Sequence, residues 1–507
     1  MLGLRKHLLR SAKVANMRTA SRFFCASTEL PEREQMHFDV VTVGGGPAGL
    51  SAAIRLKQLA IANGVDLSVC VVEKGAEIGA HILSGNVFEP RALNELIPDW
   101  ADKGAPLETK AGEDKFMWIS EGGGSVPVPN LLLPPQLHND GNYIISLSKL
   151  VRWLGEQAEE LGVEVYPGFA ADEVLYDENG GVRGVATKDV GIAKDGSHKD
   201  TYARGMELVA RQTLFGEGCR GSCSEAIMKK FDLRADKQVQ TYGLGIKEVW
   251  EIPEAQFKSG YIQHTIGYPL QDSLMSDVYG GSFLYHMEPN LVLVGLVVGL
   301  DYKNTYLNPY REFQRFKHHP EISKHLEGGT CVSYGARCLN EGGYHAIPKL
   351  TFPGGALIGC SAGFLNAVKI KGSHTAMKSG MLAAEAIYPL LSKDGQDSTV
   401  FNTGECDASV PAVEATAYET AVYDSWIAKE LKIVRNSHNS FHHGLAAGMV
   451  HTGFSCLISQ GAEPWTLENH GHDADQTLPA SECKKIEYPK PDNKLSFDLL
   501  TNLTLSG

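Results

Sequence analysis

The ten cysteines of this 507-residue chain contain no C-x-x-C pair, and no run of them has iron–sulfur or zinc ligand spacing. Cys219 and Cys223 are the nearest pair, in a glycine-rich setting that does not suggest a metal site. Free thiols are therefore expected rather than a disulfide framework. No apolar run approaches the ~20 residues that cross a bilayer. The longest, Leu291 to Leu300, reads as a buried strand. Basic excess is also missing: the formal net charge is −13, which argues against a nucleic-acid partner. No acid precedes Glu29, whereas Arg5, Lys6, Arg10, Lys13, Arg18 and Arg22 lie before it. That bias, without a continuous apolar core, is the composition of a mitochondrial transit peptide, expected over residues 1–24.

Glycine, by contrast, is abundant, at 54 residues. Strand formers from Asp39 to Val43 run into Gly44, Gly46 and Gly49, and a helix-forming stretch from Leu50 to Leu59 follows. This is G-x-G-x-x-G spacing in its proper context. The first glycine permits a tight turn, the second admits a pyrophosphate and the third allows close helix packing. A second strand, Leu67 to Val72, ends at Glu73, placed to accept from a ribose hydroxyl. The position near the N-terminus and the Gly44–Gly49 form favour FAD over NAD. The expected fold class is α/β: a Rossmann-like FAD-binding domain, of glutathione-reductase or hydroxylase type, with a second α+β antiparallel-sheet domain.

Small residues from Gly79 through Ala80, Ser84 and Gly85 form a loop whose backbone would lie beside a flavin ring. Residues 98–140, with Pro127, Pro129, Pro134 and Pro135 around Leu131–Leu133, read as an excursion into the second domain with an exposed apolar segment. A Ser-capped helix from Ser148 to Leu161 and a meander return the chain to the main sheet. That return ends at a second glycine motif, Gly216–Gly221. No strand ending in an acid follows it, so Gly218 reads as a supplementary FAD contact rather than a nicotinamide site. Strands dominate 238–350, and Tyr279–Ser282 is either a plain turn or a hinge exposing backbone N–H groups. The basic helix from Pro309, with Arg311, Arg315, Lys317, His318 and His319, reads as a solvated face. Arg337 reads as a donor to a flavin or quinone carbonyl, or as a surface ion pair. A strand-to-loop return at Gly359 precedes Ser373 and Thr375 at the start of a helix from about Met377 to Tyr388, which Pro389 should stop. The two hydroxyls serve as flavin donors or as ordinary caps. Residues 441–461 lack Asp, Glu, Lys and Arg and form an interfacial segment or a packed helix. The final run from Ser496 has no recognisable closing element.

Taken together, Gly79–Gly85, Thr241–Gly245, Tyr279–His286, Val298–Tyr302, Tyr334–Gly343, Pro348–Gly355 and Lys369–Gly380 closely resemble the electron transfer flavoprotein–ubiquinone oxidoreductase family. The resemblance runs from Phe38 to the last residue. It implies an electron-transferring-flavoprotein dehydrogenase that takes electrons from electron transfer flavoprotein. It would pass them to ubiquinone at the matrix side of the mitochondrial inner membrane, attached to that surface without spanning it. By the same resemblance Gly280 and Gly281 offer N–H groups to the quinone, Tyr279 and Arg337 lie beside the flavin, and Ser373 bonds the cofactor. The implied domains are FAD-binding, 38–100, 141–235 and 355–395, and ubiquinone-binding with membrane contact, 101–140 and 236–354. A helical C-terminal region, 396–507, would follow. The family also holds a [4Fe-4S] cluster in a ferredoxin-like region, and its cysteine ligands find no match here, so the cluster and that domain are expected to be missing. Two other readings remain: an NAD(P)H-dependent FAD monooxygenase or isoprenoid reductase, kept open by Gly216–Gly221, and an inactive truncated form.

Overall fold

The computed structural model describes residues 32–82, 85–392, 411–469 and 471–506. The expected transit segment, and Ser84 of the small-residue loop, lie outside the described residues. The valine-rich run forms the strand Gln35–Val43, whose last four residues are buried. It lies parallel to Val69–Glu73 on one side and to Glu207–Phe215 on the other. Glu164–Pro167 and Gly355–Leu357 extend the parallel sheet, and the meander Ala171–Tyr176 with Val182–Thr187 packs antiparallel onto it. Covering helices on both faces give the buried apolar strands that such sheets require.

The helix Pro47–Asn63 starts with proline at its first position and ends at Gly64 in the left-handed region. The helix Ser373–Ser392 packs against it. On Gly380 of that helix a Cβ would lie 2.2 Å from the Ala48 carbonyl oxygen, so only glycine lets the two backbones meet. The helix runs through Pro389 rather than stopping there. Burial of Ile387 and Leu391 in the main core outweighs a local cost of about 3 kcal/mol for an interior proline. The helix Leu147–Glu160 is capped by Ser146, which accepts from the Lys149 N–H at 3.3 Å.

A second, seven-stranded sheet stands beside the first. Its order is Thr330–Asn340, Tyr242–Glu251, Leu291–Gly299, Gly280–Met287, Ile262–Gly267, Asp114–Ile119 and Ser125–Val128. The strand pair from the proline-rich excursion therefore completes this sheet, with Asp114–Ile119 parallel to Ile262–Gly267. One face packs Ile246, Trp250, Val294 and Leu296 against Phe313, Phe316, Ile322 and Leu326. On the other face Val249 and Leu293 meet Val87 and Ile144, which come from the small sheet between the two large ones.

The basic helix is not a solvated face. Lys317 is fully buried and its Nζ lies 2.7 Å from Glu248 Oε2. Trp250 Nε1 and Gln314 Nε2 also donate to that carboxylate, at 2.8 and 3.1 Å. His319 is buried as well and caps the helix Pro320–Leu326. The terminal run does close the domain: Asp498 caps the helix Leu499–Leu503, and Asn502 Nδ2 donates to Glu248 Oε1 at 2.6 Å. Burial pulls the Lys317 ammonium below its ordinary pKa, only partly offset by Glu248. Lys317→Met should leave Glu248 buried without its counter-charge and destabilise the antiparallel domain by about 3–5 kcal/mol. A markedly lowered thermal midpoint is the expected result, and an unchanged one would show that the pair is dispensable.

Candidate functional site

The first glycine turn is fixed from three directions. Gly44 has φ 106° and its N–H donates to Val72 O at 2.8 Å. A Cβ on Gly44 would lie 2.5 Å from Gly216 O, and one on Gly49 would lie 2.1 Å from Gly44 O. Gly46, in contrast, faces open space, and no side chain caps the helix that follows it. That combination fits a pyrophosphate: free N–H groups, the positive end of a 17-residue helix and no Cβ in the way. Glu73 sits at the end of its strand as expected, but its carboxylate accepts from the N–H groups of Gly45 (2.9 Å) and Gly75 (2.7 Å). It therefore pins the glycine loop, with acceptor capacity left for a hydroxyl.

The second glycine motif lies directly against the first, through Gly216. Glu217 turns its carboxylate onto the next helix, accepting from Ser224 N–H and Oγ at 2.6 Å. Gly218, at φ 87°, faces open space, and its carbonyl accepts from Ser361 Oγ at 3.1 Å. Gly359, at φ 61°, also closes on the first helix, its Cβ position being 2.8 Å from Ala48 Cβ. Gly44, Gly46, Gly49, Glu73, Gly218 and Gly359 thus meet at one end of the parallel sheet, although they span more than 300 positions.

The small-residue loop is clamped to the antiparallel sheet. Arg337 donates from Nη2 to the His81 carbonyl, and Lys247 donates from Nζ to the Gly85 carbonyl. Gly79 is buried, and Ala80 after it is exposed. A Cβ on Gly85 would strike Leu293 Cδ2 at 2.6 Å. Lys247 and Arg337 share a face: Lys247 pairs with Gly335, and Arg337 with Gly245. Nothing in the sequence marked Lys247. Its burial opposite two glycines, Gly295 and Gly335, becomes visible only once the register is known.

At the start of the long helix, Thr375 Oγ1 donates inward to Phe364 O (2.7 Å) and Gly372 O (2.9 Å), so its proton is already used. Ser373 is half-buried. Lys371, just before it, is buried and was not singled out by the sequence; burial, with Lys369 nearby, lowers its pKa to about 8. His374 stacks on Trp426 and its Nε2 lies 2.9 Å from Glu430.

Gly281 lies in the same cross-strand row as Val297, Gly245 and Arg337. Pairing with Ile262–Gly267 ends at Ser282, so Gly280 and Gly281 lie beyond that ladder. Gly280 has φ 147° and a Cβ there would meet Val297 O at 2.3 Å. The Tyr279 ring is held between His438 and Phe441, with centroids 4.4 and 5.1 Å away.

Residues 42–107 match the model of an NAD(P)-binding Rossmann-like domain, and residues 242–339 match that of an ETF-QO ubiquinone-binding domain. The chain is 55% identical over 487 residues to the mitochondrial electron transfer flavoprotein-ubiquinone oxidoreductase of Dictyostelium discoideum, covering 96% of this chain and 78% of that one. The Mus musculus protein of the same name is 56% identical, over 94% of this chain and 75% of its own. The chain belongs to the electron transfer flavoprotein–ubiquinone oxidoreductase family. In fold it is similar to a geranylgeranyl bacteriochlorophyll reductase-like protein from Thermoplasma acidophilum, with TM-score 0.57, 17% identity and 86% and 94% of the two chains covered. It is likewise similar to aklavinone-11 hydroxylase in complex with FAD and aklavinone, with TM-score 0.52, 15% identity and 87% and 77% covered. The mixed α/β architecture with a Rossmann-like nucleotide domain is thus established. Among the described residues Cys219 lies beside Cys338, with Cys360 near, three thiols where an iron–sulfur cluster takes four.

Burial lowers the Lys247 pKa to about 7. The unfolded chain then binds more protons than the folded one between about pH 7 and the ordinary lysine value, so stability rises with pH across that window. Lys247→Met should remove that rise, measured as thermal midpoint against pH. An unaltered slope would assign the effect elsewhere.

Proposed function

We propose that this protein binds FAD, accepts electrons from reduced electron transfer flavoprotein and reduces ubiquinone to ubiquinol. The observation that carries the reading is identity of 55–56% over almost the whole chain to enzymes of that name, joined to a ubiquinone-binding match on the antiparallel sheet. When bound, the flavin supplies a carrier able to take electrons singly and pass them on. The chain's residues do the rest. Gly44, Gly46 and Gly49 hold the pyrophosphate, Glu73 orients the ribose, and Gly218 and Gly359 flank it. Ala80 through Gly85 supply backbone to the ring, kept in place by Arg337 and Lys247. The helix start at Ser373 directs its positive end at the developing negative charge. Thr375 acts there by fixing the preceding loop rather than by donating. Gly280 and Gly281 serve the quinone beside Tyr279. The domain limits given above, with 101–140 and 236–354 as the quinone domain, fit this assignment of roles.

The monooxygenase reading rests on the second glycine motif. That motif instead abuts the first through Gly216 and uses Glu217 as a helix cap, which favours the quinone reading.

Attachment to the mitochondrial inner membrane on its matrix side is part of the proposal. No described helix is long and apolar enough to cross a membrane. Leu131, Met275, Val450 and Ile458 are 90%, 75%, 74% and 72% exposed. They lie on neighbouring segments: Ala446 N–H donates to Leu274 O at 2.9 Å, and Pro135–Leu137 touches Ser455–Ser459. Joined apolar side chains of this kind suit partial insertion below the headgroups.

Reduced electron transfer flavoprotein should bleach the bound flavin, with reoxidation by a short-tail ubiquinone. Bleaching by NADPH alone would overturn the proposal in favour of the monooxygenase reading. Leu131→Glu with Ile458→Glu should abolish flotation with phospholipid vesicles while short-tail quinone reduction in detergent persists. Undiminished flotation would rule out this patch.

A further inference from the structure

We propose that Asp301, His438, His442 and Glu341 form a relay carrying protons from solvent to the quinone at Gly280–Gly281; the quinone's placement rests on the function proposed above. Glycines 243 and 299 pair directly across adjacent strands. A Cβ on Gly243 would lie 2.4 Å from Glu341 Oε1, and one on Gly299 would lie 2.8 Å from Asp301 Oδ1 and 3.2 Å from Tyr279 Cβ. The missing side chains therefore leave a slot holding two carboxylates and the tyrosine that precedes the quinone glycines.

The groups are contiguous. His442 Nε2 donates to Asp301 Oδ2 at 2.9 Å, and His438 Nε2 lies 3.5 Å from the same oxygen. The His438 ring meets Tyr279 at 4.4 Å. A small cavity of about 20 Å³ is lined by Glu341, Ser437 and His438 among others. It has room for one water. Glu341 Oε2 and His438 Nδ1 are buried and have no hydrogen-bond partner among the described residues. A water in that cavity would give these atoms a partner and join the glutamate to the imidazole. The route has one wet end: the His442 side chain is 27% exposed, against 8% for His438 and 7% for Asp301.

Neighbouring charges complete the setting. Asp473, followed from His472, accepts from Tyr242 N–H at 2.8 Å. Burial, Asp301 and Asp473 push Glu341 up to about 8, with Cys338 adding to the effect. Burial, Asp301 and the nearby His438 and His472 together leave Asp473 at about 6. Burial disfavours the Asp301 anion, but His438 and His442 outweigh it and hold that carboxyl well below its usual range. Burial also raises the Tyr279 phenol, reinforced by Glu341 and Asp301. The Arg435 guanidinium is turned away, onto the carbonyls of Gly461, Glu463 and Trp465. At neutral pH the slot thus holds a protonated glutamate beside an ionised aspartate, a donor and an acceptor.

The balance is simple. One ubiquinone takes two electrons from reduced electron transfer flavoprotein, by way of the flavin, and two protons. Both carbonyl groups become hydroxyls. Each proton leaves the relay for a quinone oxygen and is replaced from water through His442, so the residues return to their starting state.

The test uses the full chain with FAD, reduced by electron transfer flavoprotein, and compares a short-tail ubiquinone with ferricyanide, which takes an electron and no proton. Asp301→Asn and the more exposed His442→Gln should lower the ubiquinone rate about 100-fold while the ferricyanide rate holds, which also reports correct folding. Ubiquinone reduction by the wild-type protein should decline above about pH 8 as Glu341 loses its proton, and Glu341→Gln, which has no proton to give, should lower the rate and show no such limb. Variants with the wild-type ubiquinone rate and pH profile would overturn the relay alone. So would one zinc per chain that is lost in Asp301→Asn, because Asp301, His438 and His442 would then be ligands. Wild-type protein that reduces ferricyanide but no ubiquinone would overturn the quinone placement and the relay with it.

Discussion

The structure depends on backbone contact at one point. At Gly44, Gly49, Gly359 and Gly380 an added Cβ would lie under 3.0 Å from a neighbouring atom, and these contacts, the first of them to Gly216, bring four separate stretches of chain together. Dispersion contacts of this density are small singly and large together, and they fix the angle of the first helix to the sheet. That angle decides where the helix N-terminus points. The open space before Gly46 is therefore a consequence of crowding behind it.

A second constraint acts between the two sheets. The loop after Glu73 closes only partly on itself, with Ala80 N–H donating to Glu77 O at 3.2 Å and Ile82 N–H to Gly79 O at 3.1 Å, and the carbonyls of Gly79 and Gly85 take further donors from outside it. Ser148 supplies a donor to the first and Lys247 to the second. Arg337 adds a third, to His81. The antiparallel sheet thus completes the hydrogen bonding of a loop that belongs to the nucleotide domain. Burial disfavours the charged form of Lys247 there, and its Nζ donates to the Gly85 carbonyl.

What was legible in the sequence follows from range. The first glycine motif is encoded within some thirty residues, and its strand, turn, helix and acid all appear as read. Asp114–Ile119 was readable as a strand, but its partner Ile262–Gly267 lies about 150 residues on and leaves no local mark. Lys317 was misread because residue type argues for exposure, whereas its environment comes from Glu248 and Trp250 on a distant strand. Pro389 was read as a stop by local propensity, which the packing of Ile387 and Leu391 overrides. In the site, Arg337 and Tyr279 were singled out by the family resemblance. Spacing could not point to Lys247, or to the pairing of Gly243 with Gly299, since both are properties of register.

One strand, Tyr242–Glu251, joins these features. Lys247 on it reaches the loop assigned to the cofactor, and Gly243, four residues earlier, opens the slot that holds Glu341. At about 3.4 Å per residue the two positions are separated by roughly 14 Å along a rigid element. Its neighbour Thr330–Asn340 repeats the arrangement, with Arg337 on the loop and Glu341 following its end. The two strands pair over their whole length, from Tyr242 with Asn340 to Glu251 with Thr330. In the roles proposed above, the loop beside the flavin and the slot that supplies protons are thus held by the same pair of strands.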